Sequence, residues 1–240
     1  MKKLILFLLL ISISSKSFCQ SLTAQELLNK SIAYHDPNNA WHTFKGTLEV
    51  TMEIPNKSKR DSKINIDLAH EYFNLITKRD SAIVTYTHKK GECIISKNDS
   101  IQIAMQKEKP KRSHCEMTEL YKNYYTYLYG LPMKLKDPGT IISEEVKHKT
   151  FKGKDYLVID VNYDAQVGSD AWSFYFDPIT YAMEIYQFFR TDEKGKTKPD
   201  TGEYILLSEE AIIKTIKMPK IRAWYYNKDD KYLGTDILKI

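Results

Sequence analysis

The sequence predicts a mainly β protein, α+β in class: a large curved antiparallel sheet or half-barrel with two main helices against its concave face. Three observations lead there. Apolar and polar residues alternate with period two along most of the chain, only two stretches carry a helical period, and the alternating stretches are mostly joined by short connections. Short connections mean antiparallel pairing, because parallel strands need a crossover of a dozen or more residues. Roughly a dozen strands in one sheet must curl, since strand twist accumulates, and helices with one apolar face then belong on the concave side.

Residues 1–19 stand apart from this pattern. Lys2 and Lys3 precede an apolar run from Leu4 to Ile13 and a short polar stretch ending at Cys19, the layout of a secretory signal peptide. The run is too short to cross a bilayer core of about 30 Å as a helix. Ser17 and Cys19 are the small residues that ordinary cleavage after Cys19 requires. A lipoprotein cut would instead make Cys19 the first mature residue, and it wants a small side chain where Phe18 stands. Residues 20–240 then read as a single β-rich domain working in the periplasm or cell envelope, with room for peripheral association.

Removing the signal takes away Lys2, Lys3 and Lys16 and no acid, so the 36 basic and 31 acidic side chains of the full sequence come close to balance. That argues against a nucleic-acid binder, which needs basic residues concentrated on one face. No later stretch has the roughly 18 apolar residues of a membrane span. Two cysteines remain, Cys93 and Cys115. In an oxidising compartment they are candidates for a disulfide, contributing about 3 kcal/mol in the chain-entropy model. The competing reading makes Cys93, inside the strand-like Cys93-Ile94-Ile95, a buried small hydrophobe.

The first mature element is a helix. Thr23-Ala24-Gln25-Glu26 is a capping box, Ala24, Leu27, Leu28 and Ile32 share one face, and the proline of Asp36-Pro37-Asn38-Asn39 ends the run. From Phe44 to Ile54 the period becomes two, with Phe44, Gly46, Leu48, Val50, Met52 and Ile54 on one side and Lys45, Thr47, Glu49, Thr51 and Glu53 on the other. A turn-like stretch from Pro55 to Asp61 leads to Ile64, Ile66 and Leu68, which completes a hairpin. Further strands are predicted at 71–77, 82–88, 92–96 and 101–105. Residues 116–129 return to the helical period, with Met117, Leu120, Tyr121, Tyr124 and Leu128 on one stripe, and Gly130-Leu131-Pro132 stops the helix by a left-handed glycine cap followed by proline. Strands resume at 141–147, 156–163, 171–176, 182–190, 203–208, 211–218, 221–226 and 232–238, and the breaker-rich stretch from Asp192 to Gly202 is a loop or flap.

The stretch Tyr127-Leu128-Tyr129-Gly130-Leu131-Pro132-Met133-Lys134-Leu135-Lys136-Asp137-Pro138-Gly139-Thr140 resembles an uncharacterised family of exported Gram-negative proteins. His35-Asp36-Pro37, Trp224-Tyr225-Tyr226-Asn227 and Gly234-Thr235-Asp236 extend the resemblance over most of the mature chain. That family is similar to the outer-membrane lipoprotein-sorting proteins of the LolA/LolB-like group. The resemblance implies a curved antiparallel half-barrel whose hollow is lidded by helices and receives acyl chains. It is a fold-level analogy and assigns no catalytic residue.

The residues themselves offer no catalytic or metal signature. His42, His70, His88, His114 and His148 are scattered, without a His-x-x-x-His pair, and no G-x-S-x-G elbow, phosphate loop or dinucleotide fingerprint occurs. His35-Asp36 sits at a helix end before proline, where the imidazole faces the last carbonyls and the carboxylate starts the turn. No metal and no cofactor is expected. The aromatic residues are the better lead: the seventeen tyrosines cluster in the second helix and the C-terminal strands, near Trp172, Phe174 and Trp224. Aromatics in a large sheet mostly fill volume, yet tyrosine also has a polar tip suited to the mouth of a hollow. The expected ligand is an apolar one such as an acyl chain or lipoprotein, held by Leu48, Val50, Met52, Tyr121, Tyr124, Leu128, Trp172 and Phe174. Two alternatives stand beside this: an interaction module whose hollow is filled by its own side chains, and an enzyme with a site assembled from distant residues.

Overall fold

The computed structural model describes residues 22–98, 100–101 and 112–239. The signal read at residues 1–19 and most of the strand read at 101–105 lie outside these residues. Two helices, α1 (Ala24–His35) and α2 (His114–Gly130), accompany fourteen strands. These are β1 (Lys45–Glu53), β2 (Arg60–Asp67), β3 (Tyr72–Arg79), β4 (Ala82–Lys89), β5 (Glu92–Lys97), β6 (Ser100–Ile101), β7 (Thr140–Ile142), β8 (Lys147–Phe151), β9 (Lys154–Tyr163), β10 (Ala171–Phe176), β11 (Met183–Phe189), β12 (Glu203–Ile213), β13 (Ile216–Tyr226) and β14 (Tyr232–Lys239). They form one antiparallel sheet in the order β6-β5-β4-β3-β2-β1-β14-β13-β12-β11-β10-β9-β7, with β8 also paired to β9. Among the described residues the sheet does not close, and β1 pairs with β14 in its middle.

The curvature follows from what α2 touches. Tyr121 packs on Tyr86 of β4 and Tyr127 packs on Trp172 of β10. Those strands are eight positions apart in the sheet order, about 38 Å if the sheet were flat. The two tyrosines are separated by about 9 Å along the helix axis, so the sheet must wrap around the helix. The core lies inside that wrap, with Leu27 and Leu28 of α1, Leu48, Ile64 and Leu75 of the first strands, and Phe174, Tyr186 and Ile205 of the later ones.

Two of the strands read from the sequence divide differently. The stretch read as 141–147 splits into β7 and the start of β8, which meet separate ends of β9. The three strands read across 203–226 are two long ones, β12 and β13, joined at Lys214-Thr215, where both residues have positive φ. That turn has the backbone of a tight hairpin but none of the glycine, asparagine or proline by which such turns are recognised. The end of α2 also differs in its cause: Gly130 is not among the residues with positive φ. A Cβ there would collide with the Trp41 indole, so glycine is needed for close packing.

His35 and Asp36 fasten α1. The carboxylate of Asp36 accepts from Ala40 N–H at 2.7 Å and Trp41 N–H at 2.8 Å, which folds the turn as read. His35 does not face the last carbonyls of its own helix. Its Nδ1 donates to the Lys217 carbonyl of β13 at 2.9 Å and its Nε2 accepts from Met183 N–H at the start of β11, also at 2.9 Å. Burial lowers the imidazole pKa, opposed by the Lys217 hydrogen bond, so the folded state holds the neutral ring while the unfolded chain takes up a proton near pH 6.5. The stabilisation is therefore complete above about pH 6.5 and drains away as the pH falls through that value. His35→Ala should cost about 2–4 kcal/mol at pH 7.5, because it orphans a buried amide and a buried carbonyl. Urea denaturation should show the wild type losing stability between pH 7 and 5, and His35→Gln should lose less over that interval.

Candidate functional site

The candidate site is the space between α2 and the concave face. Ser113 and Glu116 cap α2 reciprocally: the Ser113 hydroxyl accepts from Glu116 N–H at 3.2 Å and the Glu116 carboxylate accepts from Ser113 N–H at 2.6 Å. A disulfide between Cys93 of β5 and Cys115, with Cα atoms 5.1 Å apart, ties the start of the helix to the sheet. From that anchorage the tyrosines descend in order. Tyr121 meets Tyr86 with ring centroids 4.7 Å apart, Tyr125 stacks between Tyr121 and Tyr129, and Tyr124 stacks on Trp224 of β13.

All eight residues expected to line a hollow face this space. Leu48 is in register with Ile64, and through it with Leu75 and Tyr86 across β2, β3 and β4, so these side chains share one face. Phe174 belongs to the row Trp224–Ile205–Tyr186–Phe174 on β13, β12, β11 and β10. Leu48, Val50, Leu128 and Phe174 are fully buried, and Met52, Tyr121, Tyr124 and Trp172 are partly buried. The structure brings them together, but they pack against one another and their neighbours. Neither of the two best-formed hollows among the described residues is lined by any of the eight.

Inside this aromatic layer lies a polar row that sequence reasoning missed. Arg60, Met52, Asp236 and Arg222 are in register across β2, β1, β14 and β13. Arg222 is 0 % exposed, yet its guanidinium lies 4.0 Å from the Tyr129 ring and donates to the Leu128 carbonyl at 3.1 Å and the Pro219 carbonyl at 3.3 Å. Asp236 accepts from Trp224 Nε1 at 3.2 Å, and Arg60 donates to the Tyr125 hydroxyl at 3.1 Å. Burial raises the Asp236 pKa, against the pull of Arg222 and Arg60. Burial opposes the Arg222 charge, but Tyr129, Tyr186 and Asp236 more than offset it. Burial likewise raises the phenols of Tyr124, Tyr129 and Tyr186, which stay protonated donors.

Five buried polar atoms in this region find no hydrogen-bond partner among the described residues: Arg222 Nε, Asp236 Oδ1, Tyr186 Oη, Arg60 Nε and Ser62 Oγ. Folded proteins leave few such atoms, since each costs about 1–3 kcal/mol. The sequence did carry a signal. Ile216, Met218, Arg222 and Trp224 hold the inward phase of β13, and an arginine in that phase is an anomaly.

The first hollow, of about 490 Å³, opens at the rim between α2 and the strands β2, β3 and β4, floored by Trp41, Ile66, Leu68 and Phe73. The second, lined by Lys45, Asp67, His70, Tyr72, Lys89 and Lys90, shares Asp67 and Tyr72 with it. His88, Cys93 and Glu119 have potential metal-ligand atoms within 4.8 Å of one another. The Cys93 sulfur is bonded to Cys115, which leaves two side chains, fewer than a metal centre requires.

This architecture, an open antiparallel sheet curled around a lidding helix, defines the class. The fold is shared with a LolA superfamily protein from Nitrosomonas europaea, which superposes with a TM-score of 0.55 at 9% identity, covering 92% of this chain and 93% of that one. A DUF1329 family protein from Desulfovibrio piger superposes at a TM-score of 0.48 and 6% identity over 90% of each chain. MucB, solved in complex with MucA(peri), does so at 0.25 and 10% identity over 90% of this chain and 92% of its own; neither of these two carries an argument. The chain belongs to the family of unknown function DUF6503, whose model matches residues 2–239. No curated protein matches the sequence.

The polar row makes its own prediction. Arg222→Ala should cost about 2–4 kcal/mol, because it removes the donors of the Leu128 and Pro219 carbonyls and leaves buried Asp236 with Arg60 as its remaining cationic neighbour. The double variant Arg222→Met/Asp236→Leu should recover most of that loss in urea denaturation, as apolar replacement of a buried pair commonly does. A double variant no more stable than Arg222→Ala would show that the pair itself stabilises the fold.

Proposed function

We propose that the protein is an exported binding protein of the periplasm or cell envelope, which takes the acyl chain of a lipid or lipoprotein between α2 and the concave face of the sheet. The observation that carries this reading is the interior beneath α2: apolar and aromatic over most of its area, with five polar atoms left unpaired. A core selected for packing alone would not keep that polar row.

The attachment of α2 supports the same reading. Among the described residues no backbone hydrogen bond joins α2 to a strand. Between the Cys93–Cys115 disulfide at its start and the Arg222 bond to the Leu128 carbonyl near its end, the helix is seated through side chains, so its middle can yield to an entering chain while every sheet ladder stays intact. An entering chain would replace ring contacts and keep the apolar surface buried, at about 0.8 kcal/mol per methylene. Export is supported by the charged and apolar pattern of residues 1–19 and by a disulfide suited to an oxidising compartment. The mutual packing of the eight expected lining residues favours a second reading, an interaction module with a filled core.

Titration of residues 20–240 with fatty acids carrying an environment-sensitive fluorophore separates the two. Binding should be saturable, should change the emission of Trp172 and Trp224, and should tighten about fourfold per added methylene until the interior is full. No saturable binding at any chain length would leave the filled module as the account.

A further inference from the structure

We propose that the rim groove between α2 and the strands β2, β3 and β4 is an anionic headgroup site, which takes the phosphate or carboxylate of the amphiphile whose chain enters beneath α2. The proposal rests on the acyl-binding reading and assigns the chemical class of its ligand.

The argument begins with His88 and Lys122. His88 is 5 % exposed and lines the groove, and its Nε2 lies 3.5 Å from the ammonium of Lys122 on α2. An ammonium only donates, so Nε2 accepts and the ring proton belongs on Nδ1. That Nδ1 is buried and has no partner among the described residues. Lys122 makes no ion pair among the described residues either. Glu119, three residues before Lys122 on α2, has a carboxylate oxygen within 4.8 Å of a His88 ring nitrogen but is exposed and makes no hydrogen bond to His88 or ion pair with Lys122 among the described residues. A buried imidazole and an ammonium thus face each other with no acceptor between them.

The surroundings repeat this imbalance. Lys122 and Lys134 line the groove with Asp67 and Glu71, Lys45, Lys89 and Lys90 line the hollow adjoining it, and with Glu119 beside His88 the acids number three against five lysines. Asp67 is already occupied by Lys45 at 2.9 Å and by His70 Nδ1 at 2.9 Å. Lys134 is held by Asp137. Lys89, Lys90 and Lys122 are left to attract an anion. The floor of the groove beside Lys122 is apolar, with Trp41 and Phe73 almost fully buried, and Lys89 and Lys90 line the hollow that adjoins it at the strand ends. A cationic rim over an apolar floor, opening beside the lidding helix, is complementary to an anionic amphiphile. A neutral one would leave the lysines without a partner.

Dodecyl phosphate and dodecyl maltoside, which share a chain and differ in headgroup charge, are the probes, measured below their micellar concentrations by the quenching of Trp172 and Trp224. Inorganic phosphate is the third arm. Wild type should prefer dodecyl phosphate about tenfold or more. Lys122→Gln, and separately Lys89→Gln/Lys90→Gln, should lower dodecyl phosphate affinity several-fold and leave dodecyl maltoside unchanged. Lys228→Gln, an exposed lysine in the β13–β14 turn, should change neither. Equal binding of both probes, or selectivity that survives in the triple variant of Lys89, Lys90 and Lys122, would overturn the headgroup site while leaving acyl binding in place. Binding of neither probe would overturn both readings. Inorganic phosphate binding as tightly as dodecyl phosphate would overturn the lipid assignment in favour of a free anion.

Discussion

The seating of α2 in the concave face governs most of what the rest of the structure does. Fourteen strands in an unclosed sheet leave a broad apolar surface that the hydrophobic effect cannot leave in water. A single helix covers the middle of it because seven residues of that helix, from Tyr121 to Tyr127, span a sheet that has curled until β4 and β10 both reach them. Tyrosine suits this position better than leucine would. The rings bury large apolar faces, and the hydroxyl of Tyr125 accepts from Arg60 of the polar row below. The same cover is tied to the sheet at its start by the Cys93–Cys115 disulfide and near its end by Arg222 on the Leu128 carbonyl, and side chains seat it between those points.

Much of this was legible in the sequence. Alternation from Phe44 to Ile54 placed Leu48 and Val50 on the buried face, and the tyrosine stripe placed Tyr121, Tyr124 and Leu128 opposite them, because periods of two and 3.6 are direct consequences of backbone geometry. The turn at Lys214-Thr215 was not legible, since residues other than glycine and asparagine adopt positive φ there and only the paired strands enforce it. Nor was the reason for Gly130, which depends on Trp41 arriving from about ninety positions earlier in the chain. The polar row combines residues from β2, β13 and β14, and only the order of strands in the sheet brings Arg60, Asp236 and Arg222 side by side. Short patterns encode elements; they do not encode which distant strands become neighbours.

On the proposed reading, the interior and its rim divide the work of recognition. Buried Arg222 and Asp236 are expensive groups to hold in a core, and their unpaired atoms mark a place where packing was not driven to its optimum. At the rim the apolar floor continues outward while the charge becomes positive, carried by Lys89, Lys90 and Lys122. An amphiphile lying with its chain inward and its head at that edge satisfies both environments at once. Within the interior, ring stacking on Trp172 and Trp224 offers contact to any chain of suitable length, so discrimination between ligands falls to the headgroup.

The central claim is that the space beneath α2 opens to a lipid chain. Native mass spectrometry of the protein exported by its own host and purified without detergent tests it most directly. The account requires a chain beginning at Gln20, a fraction of which carries a non-covalent adduct that dissociates on collisional activation and has the mass of an acyl lipid. Preparations that show only the bare protein, and stay bare after incubation with lipid extracted from the same cells, would contradict it.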